Sequence, residues 1–332
     1  MNTLTLEYIN SILPPRPDDS HKMTFGQVLN IAGSIHYRGA AYLSSLSALR
    51  VGAGYVTLAS SPSVCDSVSA QTPNVVTLPL PSRQAQQDID IKDINTQSIA
   101  PQAVLQLRGK LAQASVIAIG SGLSISQSTD QLNHYPNPIN GLIVPDGNSE
   151  FFYALLTEIQ ANTHPVIFDA DALNFMSRLL HHPTSTVQKP ISLTKNSIIT
   201  PHPKELSRLL NVDVNMIQAQ RVHFASLAAK QLNTLVVLKG KHTVISDGEH
   251  VFINPTGNSA LAKAGTGDVL TGMIAGFCAQ GVSPLNAACL GVYLHGLAGE
   301  LAANELSQYG VLASDLLEYI PKAILRVLNA DN

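Results

Sequence analysis

Tryptophan is absent from this chain, cysteine occurs three times in 332 residues, and only 5% of positions are aromatic. Three scattered thiols, Cys65, Cys278 and Cys289, give neither a disulfide framework nor a CxxC metal site, and read as buried thiols in a reducing cytoplasm. Charge is scarce as well. Asp, Glu, Lys and Arg make up 13% of the chain, the formal net charge is −3, and there is no long Lys/Arg run. That removes the electrostatic case for nucleic acid or an anionic membrane surface. No apolar run reaches the roughly 18 residues that a bilayer span requires. The start, MNTLTLEYINSILPPRPDD, carries Glu7 and no basic n-region. These absences lead us to expect a soluble, unexported, cytoplasmic protein whose partners are small molecules.

What the chain does have is apolar content, 45%, enough for a large core as one big α/β domain or two smaller ones. QVLNIAG (27–33) reads as a strand, GAAYLSSLSALR (39–50) as a helix with small residues on one face, and YVTLA (55–59) as the next strand. Strand, helix, strand is a βαβ unit, whose right-handed crossover builds a parallel sheet. Residues 71–80 suggest a further short strand, and 81–100 a polar surface excursion. VIAI (116–119) empties into Gly120-Ser121-Gly122, the kind of strand edge that holds ligands in open parallel sheets. Asn133 to Glu150 has turn composition and reads as an insertion, and 181–196 as a polar connection. PVIFD (165–169), SIIT (197–200) and TLVVLKG (234–240) continue the strands, and Asp247-Gly248 signals a two-residue hairpin turn. Residues 285–303 and 313–328 read as covering helices, and Tyr293, His295 and Glu300 need no role beyond that.

The chemistry concentrates in NPTGNSALAKAGTGDVLTGMIAGFCAQG (254–281). Small residues give way at Asp268 to helical spacing at Val269, Leu270, Met273, Ile274 and Phe277, so a Gly-rich loop opens a helix. The backbone of Gly265, Thr266 and Gly267 can gather N–H groups around an anion at the helix's positive end. Asp268 can accept a proton from a hydroxyl about to attack a phosphate; as a plain alternative, it is a helix N-cap. Elsewhere, Asp169 and Asp171 could bind a metal or position a hydroxyl, and Asp171 could equally cap a helix. His202 lies between two prolines, which keeps it out of the regular elements and on a rigid loop. Lys239 by itself reads as a solvated side chain.

GNSALAKAGTGDVLTGMIAG resembles the signature of the ADP- or ATP-dependent NAD(P)H-hydrate dehydratases, a branch of the ribokinase-like superfamily. HKMTFGQVLNIAGSIHYRGAAYLSSLSALRVGAGYV, GSGLS, DADALN, TPHPKELSRLL and KGKHT resemble other motifs of that family, in its order. The resemblance implies a three-layer α/β/α ribokinase-like fold with a mostly parallel sheet, as a single domain over 21–330 after a leader at 1–20. It implies that Ala40, Gly122, His202 and Asp268 contact the hydrated nicotinamide nucleotide. Lys239, Gly240, Lys241, His242, Thr243 and Gly267 would hold the adenine nucleotide. GSGLS departs from the family's GPGLG at Ser121 and Ser124, Lys204 stands where Gly is common, and His242 where a small residue is. The implied reaction converts the S-epimer of NADHX or NADPHX to NADH or NADPH with ADP or ATP as phosphoryl donor, Mg²⁺ as companion and Asp268 as base. Its metal ligands are not assigned. The family usually forms homo-oligomers, commonly tetramers. With about twenty residues before the first motif, the chain is expected to rely on a separate epimerase. A hydroxyethylthiazole-type kinase and a non-catalytic nucleotide sensor are the alternatives.

Overall fold

The computed structural model describes residues 1–82, 98–124, 147–159, 163–181 and 193–329. Its strands are β1 (Asn2–Thr3), β2 (Gln27–Ile31), β3 (Tyr55–Ser60), β4 (Val76–Pro79), β5 (Val116–Ile119), β6 (Val166–Phe168), β7 (Ser197–Ile199), β8 (Leu235–Leu238), β9 (Val244–Ser246) and β10 (Val251–Ile253). The helices are α1 (Leu6–Ser11), α2 (Arg38–Arg50), α3 (Pro62–Ser69), α4 (Val104–Gln113), α5 (Gly147–Ile159) and α6 (Asp171–His181). They continue with α7 (Pro203–Leu210), α8 (Val214–Ala219), α9 (Arg221–Leu232), α10 (Thr266–Ala279), α11 (Pro284–Gly310) and α12 (Leu316–Leu328).

Among the described residues the strands form one ten-stranded sheet, ordered β1-β10-β9-β8-β7-β6-β5-β2-β3-β4. Only β9 runs against its neighbours. Side chains alternate along each strand, and here both faces are apolar. Val28, Val56, Val116, Ile167, Ile198 and Val237 point to one side, where they share a core with α2, α10, α11 and α12. Leu29, Ile117, Phe168, Ile199, Val236 and Leu238 point to the other, against α4, α5, α6 and α9. The result is the expected α/β/α sandwich. Each fully buried aliphatic side chain contributes on the order of 1.5–3 kcal/mol.

The hairpin forms, but with a four-residue loop: Ser246 pairs with Val251. Asp247 accepts from the N–H groups of Glu249 and His250, which closes a wider turn than a two-residue connection allows. Residues 1–20, expected as a leader, include β1, which pairs with β10, and bury Leu4 and Ile9 in the core shared with α11 and α12. The insertion at 133–150 falls outside the described residues as far as 146, as do 83–97 of the polar excursion and 182–192 of the later connection. Among the described residues no helix is long and apolar enough to cross a membrane, and all three cysteines are buried and unbridged.

Candidate functional site

Strand register assembles the site. Ile31 pairs with Ile119, Ile119 with Phe168, and Phe168 with Ile199. The next residue in each strand therefore brings Gly120, Asp169 and Thr200 abreast at the C-terminal edge of the sheet. This edge includes the switch point between β2 and β5, where successive crossovers leave to opposite sides and a crevice opens. Asp169, 1% exposed, is saturated there. Its Oδ1 accepts from Thr200 Oγ1 at 2.7 Å and Lys239 Nζ at 2.7 Å; its Oδ2 accepts from Thr271 Oγ1 at 2.8 Å and Ser121 Oγ at 3.5 Å. Burial works to raise the Asp169 carboxyl, but Lys239 and the hydroxyl donors outweigh it and hold it below the usual range. Burial likewise opposes charge on Lys239, and Asp169 and Glu205 outweigh it, so the ammonium stays protonated. Lys239 is thus an ion-paired side chain inside the site rather than a solvated one.

The loop before α10 turns on Gly265, whose φ of +91° lies in the left-handed region that favours glycine. Gly265, not Asp268, is the N-cap; Asp268 falls in the first turn of the helix. Thr266 is braced by its hydroxyl, which donates to the carbonyls of Leu261 and Lys263. A Cβ added to Gly267 would lie 3.4 Å from Lys239 Nζ, so the ammonium sits beside the helix's first turn. Burial, then the charge of Asp169, push the Asp268 carboxyl up to about 7, against opposing effects of a Ser121 hydrogen bond and Lys239. A carboxyl poised there can hold or release a proton near neutral pH.

On one side of this turn lies a cavity of about 630 Å³, lined by Lys239, Lys241, Thr243, Asn258, Thr266 and Gly267 among others. Gly240 also lines it, whereas His242 is exposed and does not. With a φ of +54°, His242 occupies a left-handed position, which accounts for the small residue expected there. The far wall comes from α11, and the sequence reading missed its part. His295 bonds through Nε2 to the Thr266 carbonyl at 2.9 Å, and burial pushes its imidazole down to about 4, so the neutral ring donates. Glu300 accepts from the Gly257 N–H at 2.7 Å, and the Tyr293 carbonyl accepts from Thr256 Oγ1 at 2.8 Å. Positions 293 and 300 share one face of α11 and 295 lies on the opposite one, so no single periodic signal links all three to the glycine-rich loop.

On the other side, Ala40 and Gly122 meet. A Cβ on Gly122 would stand 2.7 Å from those of Ala40 and Tyr37, and its φ is +64°, so space and backbone both call for glycine. Ser124, where the family has its last Gly, also takes a left-handed φ of +61°. Its N–H donates to Asp171 Oδ2 at 2.8 Å, so Asp171, the first residue of α6, holds this loop instead of capping its own helix. Nearby along the chain, Ser34 Oγ and Arg38 Nε are buried without a hydrogen-bond partner among the described residues. His202 is the N-cap of α7 in a capping box: its Nδ1 accepts from the Glu205 N–H, and Glu205 accepts from the His202 N–H at 2.7 Å. Burial and then Lys239 push the His202 imidazole down to about 4, and burial pushes Glu205 up to about 7.

The family model described as NAD(P)H-hydrate dehydratase matches residues 28–322. An ADP-dependent (S)-NAD(P)H-hydrate dehydratase of Bacillus subtilis is 34% identical, with 96% of each chain covered. A bifunctional NAD(P)H-hydrate repair enzyme of Moorella thermoacetica is 36% identical over 96% of this chain and 53% of its own, so the chain spans about half the length of that relative. Among solved structures, the Bacillus subtilis ADP/ATP-dependent NAD(P)H-hydrate dehydratase co-crystallised with ATP and Mg²⁺ superposes with a TM-score of 0.72 at 30% identity, covering 98% of both chains. A ribokinase-like superfamily protein of Enterococcus faecalis gives a TM-score of 0.76 at 24% identity over 98% of this chain and 96% of its own, a likeness of fold.

Proposed function

We propose the following reaction for this chain, which belongs to the NAD(P)H-hydrate dehydratase family: dehydration of the S-epimer of NADHX or NADPHX at the expense of ADP or ATP, giving NADH or NADPH, phosphate, and AMP or ADP. The observation that carries it is Asp268, a carboxyl pushed up to about 7 in the first turn of α10, directly after Thr266 and Gly267 of the cavity wall. The cavity takes the adenine nucleotide, whose terminal phosphoryl group meets the N-terminus of α10 and the Lys239 ammonium. The hydrate enters beside Ala40 and Gly122, near His202. Asp268 takes the proton of its hydroxyl, the oxygen attacks the phosphoryl group, and AMP or ADP departs. The phosphate ester then leaves with its C–O electron pair as a ring proton is lost, which restores the double bond.

Mg²⁺ belongs to this reading as charge neutralisation for the donor's phosphates, with water and phosphate oxygens as its main ligands. The side chains suit that arrangement better than a protein cage. Among the described residues no three His, Cys, Asp or Glu groups are set to hold a metal, and Asp169 has its oxygens committed to other donors. A cytoplasmic homotetramer that works with a separate epimerase completes the proposal. Incubation with hydrated NADPH and ADP or ATP, followed by absorbance of the reduced nicotinamide, tests the reaction. Return of that absorbance with stoichiometric phosphate is expected. Accumulation of a stable phosphorylated product, or nucleotide binding without turnover, would overturn it.

A further inference from the structure

We infer that Asp169 is a positioning residue for the transfer step: it fixes the Lys239 ammonium beside the first turn of α10 and sets one buried negative charge next to Asp268. This rests on the reaction proposed above and assigns a role within it to a residue that does not touch the reactants.

Other uses of Asp169 fail on geometry. At 1% exposure it cannot reach a substrate hydroxyl. Two donors on each oxygen leave it no open direction toward a metal ion. What those donors have in common is their origin. Ser121 follows β5, Asp169 follows β6, Thr200 follows β7, Lys239 follows β8, and Thr271 rises from α10. One carboxylate therefore ties four strand ends to the helix whose N-terminus faces the phosphoryl group. Thr200 and Thr271 have no charge to give; they hold the carboxylate still, so that only Lys239 is paired with it. With its position fixed by Asp169 at 2.7 Å, the ammonium is kept next to Gly267 instead of turning onto another carboxylate. A preorganised cation of this kind acts on charge that develops in the transition state and adds little to ground-state binding.

Asp169 is also anchored to Thr271, which lies three residues beyond Asp268 and so on the same face of α10, and this puts the same charge close to Asp268. The groups that bear on this cluster are Asp171 from α6, His202, Lys204, Glu205 and Arg208 from α7, Lys239 after β8, Asp268 from α10 and His295 from α11. Asp169 raises the Asp268 carboxyl and Lys239 lowers it. Asp169→Asn removes the repulsion and frees Lys239 to approach Asp268, and both effects move that carboxyl to lower pH.

The test uses the full-length protein with ¹³C-carboxyl aspartate, the Asp268 resonance being identified by its loss in Asp268→Asn. In Asp169→Asn we expect the Asp268 titration to move down by about one pH unit or more, as removal of a neighbouring like charge does. The acid limb of kcat/KM should move with it. We expect kcat to fall about 10²-fold, with ADP affinity by calorimetry little changed. A purely structural Asp169 would lower the melting temperature without moving the titration, and an unmoved titration overturns the inference. Thr271→Val keeps the side-chain shape and loses one anchoring donor; if Asp169→Asn does not fold, this variant decides. A several-fold loss in kcat at nearly constant KM supports the inference, and full kcat refutes it. Should the parent fail to regenerate NAD(P)H, the proposed reaction falls, yet the carboxyl titration still decides the electrostatic role of Asp169.

Discussion

Asp268 sits in the first turn of α10 and not at its cap, so Asp268→Asn alters charge without touching the turn made by Gly265. Loss of a positioned base costs about 10²- to 10⁴-fold in rate, and that is the expected fall in turnover, with ADP binding retained. The stability change has a definite sign. Burial raises this carboxyl from its ordinary 3.8 to about 7, so its contribution to folding is fully present below about 4 and lost as pH rises through about 7. Asn does not ionise. Thermal melts should therefore show the variant gaining on the parent as pH climbs from about 4 to about 7; a pH-independent difference would refute the raised carboxyl. Asp268 itself was legible in the sequence because a carboxylate after GTG is chemically odd. Lys239 was not: KGK after an apolar run looks like a strand ending in water, and only the sheet register sets it against Asp169, seventy positions earlier.

At the level of single elements, α7 shows how one side chain can carry two duties. His202 caps the helix through Nδ1 and its Nε2 lies 3.4 Å from Glu205 Oε1, so the half-exposed face of a neutral ring is what remains for contact with a ligand. His202→Ala removes both and should cost about 1 kcal/mol along with turnover. His202→Asn restores a capping oxygen alone. We expect Asn to recover the melting temperature and not the activity; recovery of both would make the residue structural. The two prolines made the loop legible, whereas the Glu205 half of the capping box is visible only once the boundary of α7 is known. The central strands were easily read because both their faces are buried, leaving unbroken apolar runs, whereas β1, exposed and two residues long, passed as part of a leader. Helix α9 was harder: it buries Ala225, Ala228 and Ala229, whose apolar signal is faint. The hairpin's longer loop was hidden too, since Asp-Gly fits several turns and the extra residues are held by Asp247.

For the whole molecule, order along the chain foretold a parallel sheet, and the motif residues Gly122, Asp169 and His202 follow strands at its C-terminal edge. What they did not convey is that α11, which carries no motif of its own, braces the glycine-rich loop through His295, Glu300 and the Tyr293 carbonyl. Long-range hydrogen bonds of this sort leave no periodic trace. Thr266 and Gly267 line the cavity, and the next residue, Asp268, shares the first turn of α10 with them, while Gly122 packs on Ala40 at the end of β5. In the proposed reaction, donor and acceptor would face each other across one phosphorus atom, with no side chain needed to ferry the group between them. On that reading we predict that transfer is a single in-line displacement, with both reactants bound before either product leaves. A donor made chiral at its terminal phosphorus with sulfur and oxygen isotopes should consequently deliver a product of inverted configuration, whereas retention would require a covalent phosphoenzyme.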